Sequence, residues 1–206
     1  NFWIGDTIMN TAFYTEPTEK AIVEEIMQWS SDVLQKPSPH FNNLPPCPFA
    51  RKALVNNKVS ILFRKEDSYQ VLYSCVSQYD DNFDLAIIID LYNEKTSDEF
   101  HQYLDDLSEA ISQGIFIDKD IWVMGFHPDD EPSDFVEDVN FNYEIDTEYC
   151  MIFVQRLSKL QEAADKLDKR GYYDSYDGEY DASDIYETRN ELYRRLKDGN
   201  ETKENA

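Results

Sequence analysis

The sequence predicts an α/β sandwich, a ferredoxin-like or related four-stranded sheet covered by helices. Three observations lead there. Short apolar runs of strand length alternate with longer segments whose apolar residues recur every three or four positions. One run, "DLAIIIDLY" at 84–92, is apolar without alternation, as a strand buried on both faces must be. The order ends with two strands in succession and two helices, which suits an open sheet with helices on its faces.

Each element follows from its residues. "EPTEKAIVEEIMQWSSDVLQK" (16–36) reads as an amphipathic helix, with Thr18 as N-cap and Ile22, Ile26, Trp29 and Val33 on one stripe. "PSPH" ends it. "CPFARKALVNN" (47–57) is a short helix with Pro48 in its first turn. "KVSILFRK" (58–65) is a strand. "DSYQVLYSCVSQYDD" has strand-like composition, but Tyr69, Leu72, Val76 and Tyr79 fall at helical spacing, and the periodicity predicts a helix. "TSDEFHQYLDDLSEAISQGI" (96–115) is a helix with a Thr or Ser cap and Gly114 as its stop. "DIWVMGFHP" and "YCMIFVQRL" are strands. "SKLQEAADKLDKRG" is a helix ending at Gly171, and "DASDIYETRNELYRRLKDG" is the last helix.

The organisation expected is an extension over 1–17, one α/β domain over 18–172, an acidic linker with a C-terminal helix over 173–199, and a disordered tail over 200–206. The segment from Asp174 to Glu187 holds six acids and no base, which reads as a solvated linker.

Charge narrows the partners. Forty-two acids against 19 Lys and Arg give a net charge of -23. Such a surface repels phosphate backbones and anionic leaflets, so neither nucleic acid nor membrane is expected as a direct ligand. A small-molecule ligand or a basic protein surface remains. No run has the length of a membrane-spanning helix. The start lacks a cationic region before its apolar residues, so no secretory signal is read there. Three cysteines, Cys47, Cys75 and Cys150, are too few and odd in number for a disulfide framework and fit a reducing, cytoplasmic compartment.

Two places could carry chemistry. Cys47 sits at a helix start, where the dipole and the cations Arg51 and Lys52 one turn on favour a thiolate. The alternative is a buried structural cysteine. The turn is similar to the first-turn cysteines of glutaredoxins and some glutathione transferases. No good strand precedes it here, which argues against a thioredoxin-like fold. His127 and Asp129 form a His-x-Asp pair at the end of a strand, a spacing that can present imidazole and carboxylate to one divalent metal. The alternative is a histidine packed at the strand end and hydrogen-bonded there. The loop that follows holds nine acids and no base from Asp129 to Glu148. Cys75 and Cys150 lie in apolar periodic runs and read as structural. No Gly-rich phosphate loop or dinucleotide fingerprint occurs, so no nucleotide cofactor is expected.

Taken together, "LPPCPFARKA", "LAIIIDLY", "GFHPDD", "NFNYEIDTEYCMIFVQRLSKLQEA" and "DIYETRNELYRRL" resemble the domain of unknown function 1415 family, in one order from about residue 20 to 197. The Cys-Pro-Phe-Ala turn and the Phe-His-Pro-Asp strand end are its most specific parts. The resemblance implies no reaction, but it places Cys47, Pro48, Phe49, His127, Pro128, Asp129, Asn142 and Tyr143 at the family's characteristic positions. It also shows departures. An arginine of the family's loop is absent around Asn142-Tyr143-Glu144-Ile145-Asp146, and Phe153 stands where the family often has histidine.

Two functions follow as expectations. In the first, Cys47 is nucleophile, redox thiol or metal ligand. His127 is then its base or a fellow ligand, Asp129 or Asp130 orients the imidazole, Asp129 is the carboxylate ligand of the metal version, and Arg51, Asn142 and Tyr143 bind substrate. In the second, the chain is a non-catalytic acidic protein that docks on a basic partner, and both motifs brace the fold.

Overall fold

The buried run at 84–92 becomes β2 (Leu85–Asp90), with all six residues buried and strands paired on both sides. A computed structural model describes residues 16–79, 82–113, 120–130, 148–173 and 182–204. The other strands are β1 (Val59–Arg64), β3 (Ile121–Phe126) and β4 (Cys150–Arg156), in the sheet order β1-β2-β4-β3. β1 runs parallel to β2, and β4 is antiparallel to both β2 and β3. Three strands therefore point one way, with β4 inserted against them. This mixed sheet is the related four-stranded form of the expectation, not the ferredoxin-like βαββαβ order.

Helices cover both faces, and the pleat of β2 sorts the two cores. Ala86 and Ile88 join Phe100, Leu104 and Ile111 of α4 (Ser97–Ser112) and Leu72 and Val76 of α3 (Gln70–Gln78). Leu85, Ile87 and Ile89 face Ile22, Val23 and Ile26 of α1 (Pro17–Trp29) and Ala53 of α2 (Pro48–Val55). α5 (Leu157–Asp168) packs against α6 (Ala182–Glu204) and borders β3 and β4. The helix expected over the ambiguous stretch around Cys75 is α3.

Local chemistry sets the helix ends. Thr96 and Glu99 form a reciprocal capping box at the start of α4: the Thr96 hydroxyl accepts from the Glu99 N–H, and the Glu99 carboxylate accepts from the Thr96 N–H at 3.0 Å. α1 departs from expectation. Its N-cap is Glu16, Pro17 occupies the first turn, and Thr18 lies inside the helix. The helix continues as a π-helical turn, Ser30–Leu34, before Pro37. α5 ends at Asp168, with Gly171 in the left-handed region three residues on, where a side chain would be strained. α6 runs to Glu204, past Gly199 and into the segment expected as a tail. Gly114 and the loop holding Asn142 and Tyr143 lie outside the described residues. Among those described, no helix is long and apolar enough to cross a membrane.

Candidate functional site

β1, β2 and β3 all finish at one end of the sheet, where the last residues of β1 and β2 meet. Arg64 ends β1 and Asp90 ends β2, adjacent in register. Both side chains are buried, and Arg64 Nη1 donates to Asp90 Oδ1 at 2.7 Å. The guanidinium also donates to the Ser68 and Tyr92 carbonyls, at 3.0 and 2.9 Å, and lies 4.1 Å from the centre of the Tyr69 ring. Asp90 Oδ1 accepts the Tyr92 N–H as well, whereas Asp90 Oδ2 is buried without a hydrogen-bond partner among the described residues. Burial pushes the Tyr69 hydroxyl up. It does the same to Tyr103, whose hydroxyl lies 3.2 Å from that of Tyr73. Lys95 approaches both the Tyr69 and Tyr103 rings, at about 6 Å.

His127 follows β3 at this end and is 5% exposed, which places the ring inside the fold. Its Nδ1 accepts the Asp129 N–H at 3.1 Å, and its Nε2 lies 2.9 Å from the Lys95 carbonyl. These partners call for the Nε2–H tautomer. Asn93 Nδ2 donates to the same carbonyl at 2.9 Å, and the ring packs on Phe100 with centroids 5.8 Å apart. A base needs a lone pair facing its substrate, and here the Nδ1 lone pair is committed to the backbone. Both ring nitrogens therefore face protein groups, Nδ1 the Asp129 N–H and Nε2 the Lys95 carbonyl, with Asn93 Nδ2 3.1 Å from Nε2. The histidine locks the turn after β3 onto the loop after β2.

The carboxylate that organises this turn is Asp130 rather than Asp129. Asp129 is 80% exposed, with Oδ2 3.8 Å from His127 Nδ1. Asp130 accepts from the His127 N–H at 2.7 Å, from Ser97 Oγ at 2.6 Å and from His101 Nε2 at 2.9 Å. Burial pushes the Asp130 carboxyl up, but those three bonds outweigh it, and the net shift is downward.

Cys47 belongs to the other layer. Two consecutive asparagines, Asn42 and Asn43, take left-handed backbone conformations and turn the chain toward it. The Cys47 N–H donates to the Leu34 carbonyl at 3.1 Å, and its own carbonyl accepts from Arg51 at the start of α2. Beside it stands Tyr172, which donates to the Pro46 carbonyl and stacks on Phe41 at 4.9 Å. Burial pushes the Tyr172 hydroxyl up, and the neighbouring Cys47 adds to this. Cys47 is half-buried and Arg51 is exposed. The backbone of Cys47 thus joins the π-helical turn to α2 beside Tyr172, while the His127 ring packs on Phe100 of α4.

Among the described residues no three His, Cys, Asp or Glu side chains converge as an ion requires, so Cys47, His127 and Asp129 form no shared centre. Cys75 and Cys150 are buried, and burial pushes each thiol up to about 12, as expected of structural cysteines.

Sequence reasoning overlooked the Arg64–Asp90 pair and the Asn93 and Lys95 contacts. A signal existed: "SILFR" and "AIIID" are apolar runs that each end in one charge of opposite sign. Comparison with family models, curated proteins and solved structures finds no match for this chain.

Proposed function

We propose that this chain is a non-catalytic acidic interaction protein that docks on a basic partner. The observation that carries the reading is the outward side of α4. Asp98, Glu99, Asp105 and Asp106 are exposed there, Glu109 beside them is bridged to Arg195 of α6 at 3.2 Å, and the helix has no Lys or Arg from Ser97 to Ser112. On a chain of net charge -23, this rigid row is a ready partner for a Lys- and Arg-rich surface. The same reading takes the chain as a relative of the domain of unknown function 1415 family, in which the Cys-Pro-Phe-Ala and Phe-His-Pro-Asp turns brace the two helix layers.

The test is binding of a synthetic Lys-rich peptide at low salt. The double variant Asp105→Lys with Asp106→Lys loses binding, while Glu187→Lys with Glu191→Lys on α6 keeps most of it. Alkylating Cys47 with iodoacetamide leaves binding unchanged. Equal losses from both double variants mean that the acids act only as a diffuse solubilising charge. Loss on alkylation returns Cys47 to the centre of the function.

A further inference from the structure

Cations are scarce in this chain, yet five of its 19 line one groove of about 580 Å³ between α2 and α5. They are Lys52, Lys58, Lys159, Lys166 and Arg170. Two carboxylates share the groove. Asp84, buried at its side, lies 3.5 Å from Lys159 and 4.0 Å from Lys58 and so holds those two ammonium groups in place. Glu162 is exposed. Five positive charges thus stand against two negative ones. Lys52, Lys166 and Arg170 are exposed and form no ion pair with a carboxylate of the described residues. With more than two acids for every cation in the chain, three neighbouring cations left without carboxylates form a local exception.

The walls are not purely polar. Phe49 of α2 and Leu167 of α5 contribute apolar surface. The groove also lies in the size range of small-molecule sites, about 300–1,000 Å³. We propose that it binds a small phosphorylated molecule, with phosphate oxygens on Lys52, Lys166 and Arg170 and the body of the ligand against Phe49 and Leu167. Lys and Arg are the usual partners of phosphate oxygens, and Arg can bond two of them at once. The net charge of the molecule limits the ligand to a small one. Within a screening distance of about 8 Å the groove's own cations dominate, whereas a long polyanion would also meet the repulsion of the whole surface. The site shares no residue with the acidic side of α4, so it stands or falls apart from that reading.

The experiment titrates inorganic pyrophosphate into the full chain by calorimetry, with backbone amide shifts followed by NMR. Saturable binding is expected, with shifts concentrated in α2 and α5. The pair Lys52→Ala with Lys166→Ala should weaken it roughly tenfold or more, and so should Arg170→Ala. Lys52→Arg with Lys166→Arg keeps binding, and so does the control pair Lys20→Ala with Lys36→Ala. All these side chains but Lys36 are uninvolved in the ion pairs of the described residues, and circular dichroism confirms that each variant is folded. Three results overturn the proposal: no saturation at millimolar pyrophosphate, equal weakening by the control pair, or duplex DNA binding with the same dependence on the groove cations.

Discussion

Asp130 shows how one side chain gathers three donors and ties the turn after β3 to α4. Its carboxylate receives the N–H of His127 after β3, the hydroxyl of Ser97 in the first turn of α4 and the ring of His101 one turn later. The bonds favour the ionised form, so the folded carboxyl titrates below its ordinary value of 3.8. The sign follows by linkage. A lowered folded pKa adds stability that is fully present above the unfolded value and is lost as pH falls through the folded one. Asp130→Asn should therefore cost about 1–3 kcal/mol at neutral pH, from donors left poorly satisfied. Urea titrations at a series of pH values check this: the gap between variant and parent should close below the ordinary carboxylate range. A gap that persists in strong acid would assign the loss to packing. The sequence displayed His127 and Asp130 as a conspicuous turn, but not their roles. His127 is held by the carbonyl of Lys95, 32 residues earlier, and nothing local in the sequence sets that register. Cys47 was legible as the start of a helix. Its neighbour Tyr172 comes from the far end of the chain.

Elements were more legible where their determinants are local. The capping box of α4 lies within four residues and could be read directly as Thr96 and Glu99. α5 is capped from outside: Asp120, just before β3, accepts from the Ser158 N–H at 2.7 Å and from the Ser158 hydroxyl at 2.6 Å. That cap appears only when β3 and β4 pair. Gly125 is a similar case. A glycine inside a strand weakens it unless something needs the space. Here a Cβ at Gly125 would overlap the side chains of Leu104 and Phe100, so the glycine lets α4 lie close on β3. Gly125→Ala should destabilise the fold by about 1–3 kcal/mol through overpacking. Chemical denaturation measures this, and the double variant with Leu104→Ala should cost less than the sum of the two single losses, because the two sites share one space. A full additive cost for the double variant would place the strain elsewhere.

At the scale of the whole molecule, the strands carry few charges, and the main exception, Arg64 with Asp90, is paired inside. Net charge was fully legible in composition, whereas its distribution was not. Lys52 and Lys166 stand far apart in the chain, and only the packing of α2 beside α5 brings them to one groove. An excess of 23 negative charges repels itself more in the compact state than in the extended chain, so folding opposes a field that salt can screen. Raising salt from about 10 mM to about 100 mM shortens the screening length from about 30 Å to about 10 Å, less than the separation of most surface charges. The melting temperature should accordingly rise over that range. The Asp105→Lys, Asp106→Lys variant, with four fewer units of net negative charge, should rise less. Exposed ion pairs such as Lys36–Asp32 work in the opposite direction, but solvent and salt screen them strongly. Scanning calorimetry in sodium chloride, repeated in potassium chloride to separate screening from specific ion binding, decides the matter. A melting temperature that is flat or falls with salt would show that attraction around the cations outweighs the repulsion of the whole.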